Sequence, residues 1–381
     1  MADIISVFGS RVGEEEIEEV SASIRAQWMG LGPKVKRFEA EFAERLKLES
    51  FTMLDSGSNS LYMAVKLLNL PAGSEVILPS FTWISCAHAV VLCGCVPVFC
   101  DVDLATHNIT AETIEPHLTD KTRAIMVVHY AGKPVRMQPI MELGLPIIED
   151  AAHAVDSKLG EQYCGGIGDI GIYSFDAVKN LATPEGGGIT ARDPEMAARA
   201  RLLRYCGIAK SGFEASANKD RWWEYDIGEF FPKLLPNDIS ASVGLAQLRK
   251  LDASQSYRKK IWDLYQREFA GLEWLVRPQD PEANEQHSYF TYCVRIVGPS
   301  RDEFAKYLYA EGIYSTLRYH PLHLNRIYQS KARLPICEQL NEEALSLPLH
   351  PNLSEADVDK IITTVKKYQR SEKVSAAARE R

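Results

Sequence analysis

The stretch Tyr173-Ser-Phe-Asp-Ala-Val-Lys-Asn-Leu-Ala-Thr-Pro-Glu-Gly-Gly-Gly-Ile189 decides how this chain is read. A short apolar run enters a polar turn, the turn carries Lys179, and a glycine cluster follows. A lysine just past a strand end, against glycines that let other groups approach closely, is a candidate Schiff-base nucleophile. Upstream, Leu145-Pro-Ile-Ile-Glu-Asp150 ends a second apolar run in a carboxylate.

Around these two stretches the pattern is regular. Glu75-Val-Ile-Leu-Pro79, Pro97-Val-Phe-Cys-Asp-Val102, Ala124-Ile-Met-Val-Val-His-Tyr130 and Gly171-Ile-Tyr-Ser-Phe175 are short apolar runs between helical segments. Such alternation predicts an α/β fold with a mainly parallel sheet flanked by helices. Ligands on such sheets bind beyond the carboxyl ends of the strands, where Asp150 and Lys179 fall. The segment Val12 to Leu48 reads as two surface helices broken at Met29-Gly-Leu-Gly-Pro33, and Ile239 to Tyr265 as one long helix. From about residue 255 onward, strand and helix patterns alternate in what reads as a smaller α+β unit. With 381 residues and roughly 150 residues per domain, the expected division is a large domain over 1–250 and a small C-terminal domain over 251–381.

Composition excludes several function classes. The formal net charge of −8 argues against nucleic acid or an anionic membrane surface as partner, since both need basic fields. It leaves room for an anionic small molecule held by a local Arg or Lys cluster. The eight cysteines fall mostly in apolar runs, and Cys93-Gly-Cys95 has no second pair to complete a zinc set. Buried thiols in a reducing cytosol, and no metal, are the expectation. The N-terminal residues lack a basic, apolar leader pattern, and no 18-residue apolar run occurs, so a soluble, cytoplasmic protein is expected.

The candidate site residues suit one ligand, taken piece by piece. Ser56-Gly-Ser-Asn-Ser60 before a helical run supplies hydroxyls and a helix start for a phosphate; alone, such a run is more often a simple N-cap. Asp150 could hold a proton on a ring nitrogen. Trp83, in Pro79-Ser-Phe-Thr-Trp83, could stack on a flat ring, and His153, in Glu149-Asp-Ala-Ala-His153, could support it. Lys179 would bond the carbonyl and then carry protons, for which desolvation must lower its pKa. Helix-start serines, Trp, Asp and Lys, each near a predicted strand end, together fit pyridoxal 5'-phosphate, converted to pyridoxamine 5'-phosphate during the half-reaction.

The chain resembles the DegT/StrS-type sugar aminotransferases, a fold-type-I pyridoxal-phosphate family. The resemblance rests on Ser56-Gly-Ser-Asn-Ser-Leu61, Glu75 to Trp83, Pro97 to Asp103, Glu149-Asp-Ala-Ala-His153, Gly168 to Phe175, Lys179-Asn180 with Glu185-Gly-Gly187, and Tyr319-His-Pro-Leu-His323. It runs from about residue 5 to about 368. It implies that Lys179 and Asp150 are catalytic, and that Ser58, Asn59 and Ser174 hold the phosphate beside Trp83 and His153. It implies a homodimer with shared sites, in which Asn237 reaches the neighbouring subunit's cofactor. Glu185, Tyr319, Arg318 and His320 fall near the substrate. Arg204, Lys210, Arg221, Lys233 and Arg318 are candidates to meet a diphosphate, and Trp222-Trp223 to stack on sugar or base. Some relatives replace the lysine with His and dehydrate sugars; Lys179 is present here.

The resemblance implies transfer of an amino group from L-glutamate to a nucleotide-linked keto-deoxysugar. The stretch 221–232 resembles relatives that aminate C4 of a dTDP- or UDP-4-keto-6-deoxyhexose. The rivals are C3 amination and a keto-cyclitol acceptor. A pyridoxal-phosphate lyase or dehydratase and a non-catalytic regulator are further alternatives. Asp176 departs from the residue many relatives carry, and the Arg that follows the conserved Asn in many relatives is missing after Asn237.

Overall fold

The computed structural model describes residues 4–208 and 225–379. Its centre is a seven-stranded sheet with spatial order β1-β9-β8-β5-β4-β2-β3. The strands are β1 (Thr52–Leu54), β2 (Glu75–Pro79), β3 (Val96–Cys100), β4 (Thr122–Val128), β5 (Ile147–Asp150), β8 (Ile170–Ser174) and β9 (Gly187–Ala191). Strands β3, β2, β4, β5 and β8 are parallel, and β9 is antiparallel to both β8 and β1. The central strands are buried over most of their length by Val76, Ile77, Leu78, Ile125, Met126, Val127, Ile148, Ile170 and Ile172. A sheet of that composition must be covered on both sides.

This topology gathers the site. The carboxyl ends of β1, β2, β5 and β8 lie along one edge of the sheet, and β9, running the other way, begins there. Ser56, Trp83, Asp150, Lys179 and the glycines at 186–188 therefore converge although they are far apart in sequence.

Two short helices precede the sheet, Glu14–Arg25 and Pro33–Arg45. The second is not merely a surface helix. Its Val35, Phe38 and Phe42 are fully buried, and Phe38 meets Phe175 edge-on at 5.3 Å. The helical pattern over 239–265 divides at Lys250 into Asp238–Arg249 and Leu251–Glu268. Tiny strands β6 (Lys158–Leu159), β7 (Gln162–Tyr163) and β11 (Glu285–Gln286) form a separate ribbon.

The C-terminal part has its own antiparallel sheet of β10 (Leu275–Val276), β12 (Tyr292–Ile296) and β13 (Ala344–Leu347). Helices Leu251–Glu268, Arg301–Ala310 and Glu355–Arg379 accompany it. Trp262, Tyr265, Phe269, Tyr292, Phe304, Leu308, Ile361 and Val365 fill this second core. We propose the seam between the two units at the Lys250 break. Two exchanges cross it: Ile5 belongs to the second core, and Cys293, Leu322 and Leu340 to the first. β12 is shorter than the apolar run Tyr289-Phe-Thr-Tyr-Cys-Val-Arg-Ile-Val297 that contains it. Phe290 instead donates its backbone N–H to Ala131 at 3.1 Å and turns towards the sheet edge. No helix among the described residues is long and apolar enough to cross a membrane.

Candidate active site

A cavity of about 400 Å³ opens at the carboxyl edge of the sheet, within the range of small-molecule and cofactor sites. Its wall includes Ser58, Trp83, Asp150, His153, Ser174, Lys179, Glu185, Arg318 and Tyr319. Nine residues singled out in the sequence are thus brought together.

The phosphate end is built by close approach. Ser56 caps the helix Gly57–Leu67, its hydroxyl accepting from the Asn59 N–H at 3.2 Å. The open N-terminus of that helix faces the cavity through Ser56, Gly57 and Ser58, and such a terminus favours an anion. A Cβ at Gly57 would lie 2.7 Å from Ser174 Cβ, and one at Gly187 would lie 2.4 Å from the Ser56 carbonyl. Glycine at both positions lets helix and strands meet here. Ser58 Oγ lies 2.7 Å from Ser85 Oγ.

The ring end is held by hydrogen bonds on the carboxylate. Asp150 Oδ1 accepts the Ala152 N–H at 2.9 Å, and Oδ2 accepts from the Cys86 thiol at 3.2 Å. Its neighbour Glu149 points to the opposite face of the strand. There it is fully buried, lies 2.9 Å from His129 Nε2 and accepts from the backbone of Gly165, Ile167 and Gly168. Burial opposes protonation of His129, but Cys164 and Glu149 outweigh it and raise its pKa to about 10. This pair fixes the end of β5 and hence Asp150.

Lys179 is approached by charge on every side. Burial, and next the Arg318 cation, pull its pKa down to about 8, against the opposing pull of Asp150 and Asp176. Its ammonium lies 5.0 Å from the Phe290 ring centre. His153 stacks on the same ring at 4.1 Å and 15°. Its Nε2 lies 3.1 Å from the Tyr319 hydroxyl, while its buried Nδ1 has no partner. Burial, then Lys179 and Arg318, push His153 well below the usual imidazole range, so it is neutral. Trp83 is half-exposed over the mouth and meets Tyr319 at 5.4 Å. Glu185 is exposed at the rim, its pKa raised by partial burial and by the nearby Asp176 and Asp55.

Other sequence candidates lie elsewhere. Asn59 does not line the cavity; its Nδ2 donates to Asp55 at 2.8 Å. Asn237 caps the helix Asp238–Arg249, accepting from the Ser240 N–H at 2.9 Å, and is exposed away from this chain's cavity. His320 is exposed and lies 2.8 Å from Asn341 Oδ1, outside the cavity wall. Arg204 pairs with Glu39, which removes it as a diphosphate ligand. Lys233 is exposed outside the cavity. Lys210, Arg221, Trp222 and Trp223 lie outside the described residues.

Several site residues carried no sequence signal. Phe8, from the N-terminal segment, and Phe290, from a loop before β12, approach Arg318 from distant parts of the chain. Cys86 and Ser85 follow Trp83 on the helix Ile84–Leu92, and their proximity to a stacking aromatic was the available clue. Asn180 ties the lysine loop to the Phe290 loop, donating to Gln255 at 2.9 Å and to the Ser288 carbonyl at 2.6 Å.

A half-buried amine of lowered pKa, a doubly anchored carboxylate and an open helix N-terminus fit pyridoxal phosphate. The profile of the DegT/DnrJ/EryC1/StrS aminotransferase family matches residues 10–366. The chain belongs to this family. A 4-aminotransferase for dTDP-4-dehydro-2,3,6-trideoxy-D-glucose from Saccharopolyspora spinosa is 37% identical over 354 residues, covering 91% of this chain and 92% of the relative. The aminotransferase TlmJ of Streptoalloteichus hindustanus superposes with a TM-score of 0.92 at 38% identity, over 97% of this chain and all of that one. A sugar aminotransferase, Spr1654 of Streptococcus pneumoniae, superposes in its pyridoxal-phosphate form with a TM-score of 0.89 at 29% identity, over 97% of this chain and 99% of its own. This member of the DegT/DnrJ/EryC1/StrS family is therefore a pyridoxal-phosphate-dependent sugar aminotransferase of fold type I. All eight cysteines are free thiols, and no cluster of potential metal ligands occurs among the described residues.

Proposed function

We propose that this enzyme transfers the amino group of L-glutamate to C4 of a dTDP- or UDP-linked 4-keto-6-deoxyhexose. The observation that carries aminotransfer is Lys179: a half-buried amine, its pKa lowered to about 8, in one cavity with Asp150. The C4 position is supported by the likeness to the Saccharopolyspora 4-aminotransferase.

The geometry supports a role for each residue. When bound, pyridoxal phosphate would supply the carbonyl that carries the amino group and the ring that accepts the electron pair. Lys179, with its pKa near neutrality, can give up and regain a proton at Nζ. Asp150, fixed by Ala152 and Cys86, would hold a proton on the ring nitrogen. Ser58, Ser174 and the helix start would hold the phosphate. Trp83 and neutral His153, with its unpartnered Nδ1, would flank the ring. Glu185 and Tyr319 line the mouth where sugar hydroxyls would lie. Asn237 faces outward, as a residue serving a neighbouring subunit's cofactor would, and we assign the enzyme as a homodimer with shared sites.

The test is incubation of the pyridoxamine-phosphate form with a panel of 3-keto and 4-keto nucleotide sugars, with mass spectrometry and NMR of the product. Amination at C4 is expected. Amination at C3 alone, or of a keto-cyclitol without nucleotide, would replace this reading.

A further inference from the structure

His323 closes the run Tyr319-His-Pro-Leu-His323, yet it does not line the cavity, and neither does Ser80. His323 is buried and Ser80 completely so. The two are joined across the fold. The His323 backbone N–H donates to Ser80 Oγ at 3.0 Å, and the same oxygen lies 2.6 Å from His323 Nδ1. The Ser80 carbonyl accepts the Leu322 N–H at 2.8 Å, and the Ser80 N–H donates to the Cys100 carbonyl at 3.1 Å. One serine, directly after β2, thus ties the large sheet to the turn Leu322–Leu324.

The partners fix the protons. Ser80 Oγ accepts from a backbone N–H, which leaves its own hydrogen for Nδ1. Nδ1 is then the unprotonated nitrogen, and the ring proton sits on Nε2, which faces Glu338 Oε1 at 3.6 Å. Burial holds the imidazole below its ordinary pKa, with Glu338 pulling the other way. The neutral ring is a directed acceptor for a hydroxyl that has no access to water, and a buried hydroxyl robbed of its partner is costly.

Both residues stand close in sequence to the cavity mouth. Ser80 comes three residues before Trp83, and His323 four residues after Tyr319. The Trp83 and Tyr319 rings meet at 5.4 Å, and the Tyr319 hydroxyl lies 3.1 Å from His153 Nε2. On the other side of Tyr319, the Tyr130 hydroxyl donates to the Arg318 carbonyl. Two walls carried by distant segments keep one spacing only if something joins them. We propose that Ser80 and His323 are a positioning pair that touches no ligand but sets the spacing of Trp83 and Tyr319, and through it the hold on the acceptor sugar. The effect on the acceptor rests on reading the mouth as the sugar site; the effect on the two rings does not.

Three variants test the pair. Ser80→Ala removes the hydroxyl, His323→Leu removes its acceptor, and His323→Asn keeps an acceptor oxygen where Nδ1 stands. Cofactor-loaded protein labelled with 5-fluorotryptophan is followed by fluorine NMR, the Trp83 signal being assigned by its loss in Trp83→Phe. Ser80→Ala and His323→Leu should shift or broaden that signal, and His323→Asn should restore it. The first two should also raise the KM for the keto-sugar by about 5- to 30-fold. Turnover at saturating keto-sugar, the reaction with L-glutamate and the affinity for the cofactor should each stay within about threefold. A lower melting temperature with the Trp83 signal and the KM unmoved would make the pair a folding element only and overturn the proposal. A loss concentrated in cofactor affinity would overturn it too, by making the ring pocket the thing positioned. Should His323→Leu not fold, Ser80→Ala and His323→Asn decide by the Trp83 signal. A wild-type enzyme that reacts with L-glutamate but aminates no keto-sugar rejects the acceptor reading, and the Trp83 signal then decides the positioning by itself.

Discussion

The Cys86 thiol donates to Asp150 Oδ2 at 3.2 Å, deep in the wall of the active site. Both groups are buried, Cys86 completely, and Thr82 Oγ1 lies 3.3 Å from the same sulfur. A thiol is a weak donor, so it orients the carboxylate while drawing little charge from it. Cys86→Ser, a stronger donor, should weaken cofactor binding by several-fold, and Cys86→Ala should broaden the pH dependence of the bound cofactor's absorbance. Equal affinity and superimposable absorbance titrations for all three proteins would remove any role for the thiol.

Lys179→Ala should abolish both turnover and the covalent bond between chain and cofactor that borohydride fixes. Retained turnover would show that another group moves the proton.

The same lysine makes a prediction about stability. Its folded pKa, about 8, lies below its ordinary value of 10.5. Below pH 8 it is charged in both folded and unfolded chains, and the buried charge costs stability. Between about 8 and 10.5 the unfolded chain binds more protons, so this group's contribution rises with pH. Lys179→Met in cofactor-free protein should gain about 3 kcal/mol at pH 7, and the gain should fade by pH 10.5. Denaturant melts across that range would check it; a gain independent of pH would contradict the shift.

Glu149→Ala should be among the most destabilising substitutions in the chain. It removes the acceptor of three backbone N–H groups and the partner of His129. Breaking a buried pair of this kind costs about 3–5 kcal/mol. Because the pair fixes the end of β5, cofactor affinity should fall as well. Thermal melts and cofactor titration together measure both effects, and a loss below about 1 kcal/mol would mean the loop re-pairs its donors elsewhere.

Gly187→Ala should damage the phosphate end specifically. The added Cβ would lie 2.4 Å from the Ser56 carbonyl carbon and 2.5 Å from Gly57 N, all backbone atoms that cannot rotate away. The helix start must shift, so affinity for inorganic phosphate and for the cofactor should drop together. A variant with wild-type affinity for both would show that the turn absorbs the methyl.

Much of this was legible in sequence because it is local. The lysine loop, the Asp-Ala-Ala-His run and the serine-rich helix start each sit on a strand or helix end that apolar spacing marks. The break at Lys250 was not legible, because both flanking helices share apolar spacing and no Gly or Pro stands at the junction. Asn59 and His320 resembled site residues by motif, yet Asp55, four residues away, and Asn341, on a separate helix, engage their side chains. Arg204 looked like a free cation until the fold set it beside Glu39.

The sequence by itself determined the strand ends, the type of chemistry at Lys179 and Asp150, and the family. These depend on residue type and short-range spacing. Only the tertiary structure decided that Phe8 and Phe290 enclose Arg318, that a cysteine anchors Asp150, and that Glu149 and Asp150 serve opposite faces of one strand. Those depend on which distant segments meet at the sheet edge, and on burial and nearby charge, which lower the Lys179 pKa to about 8.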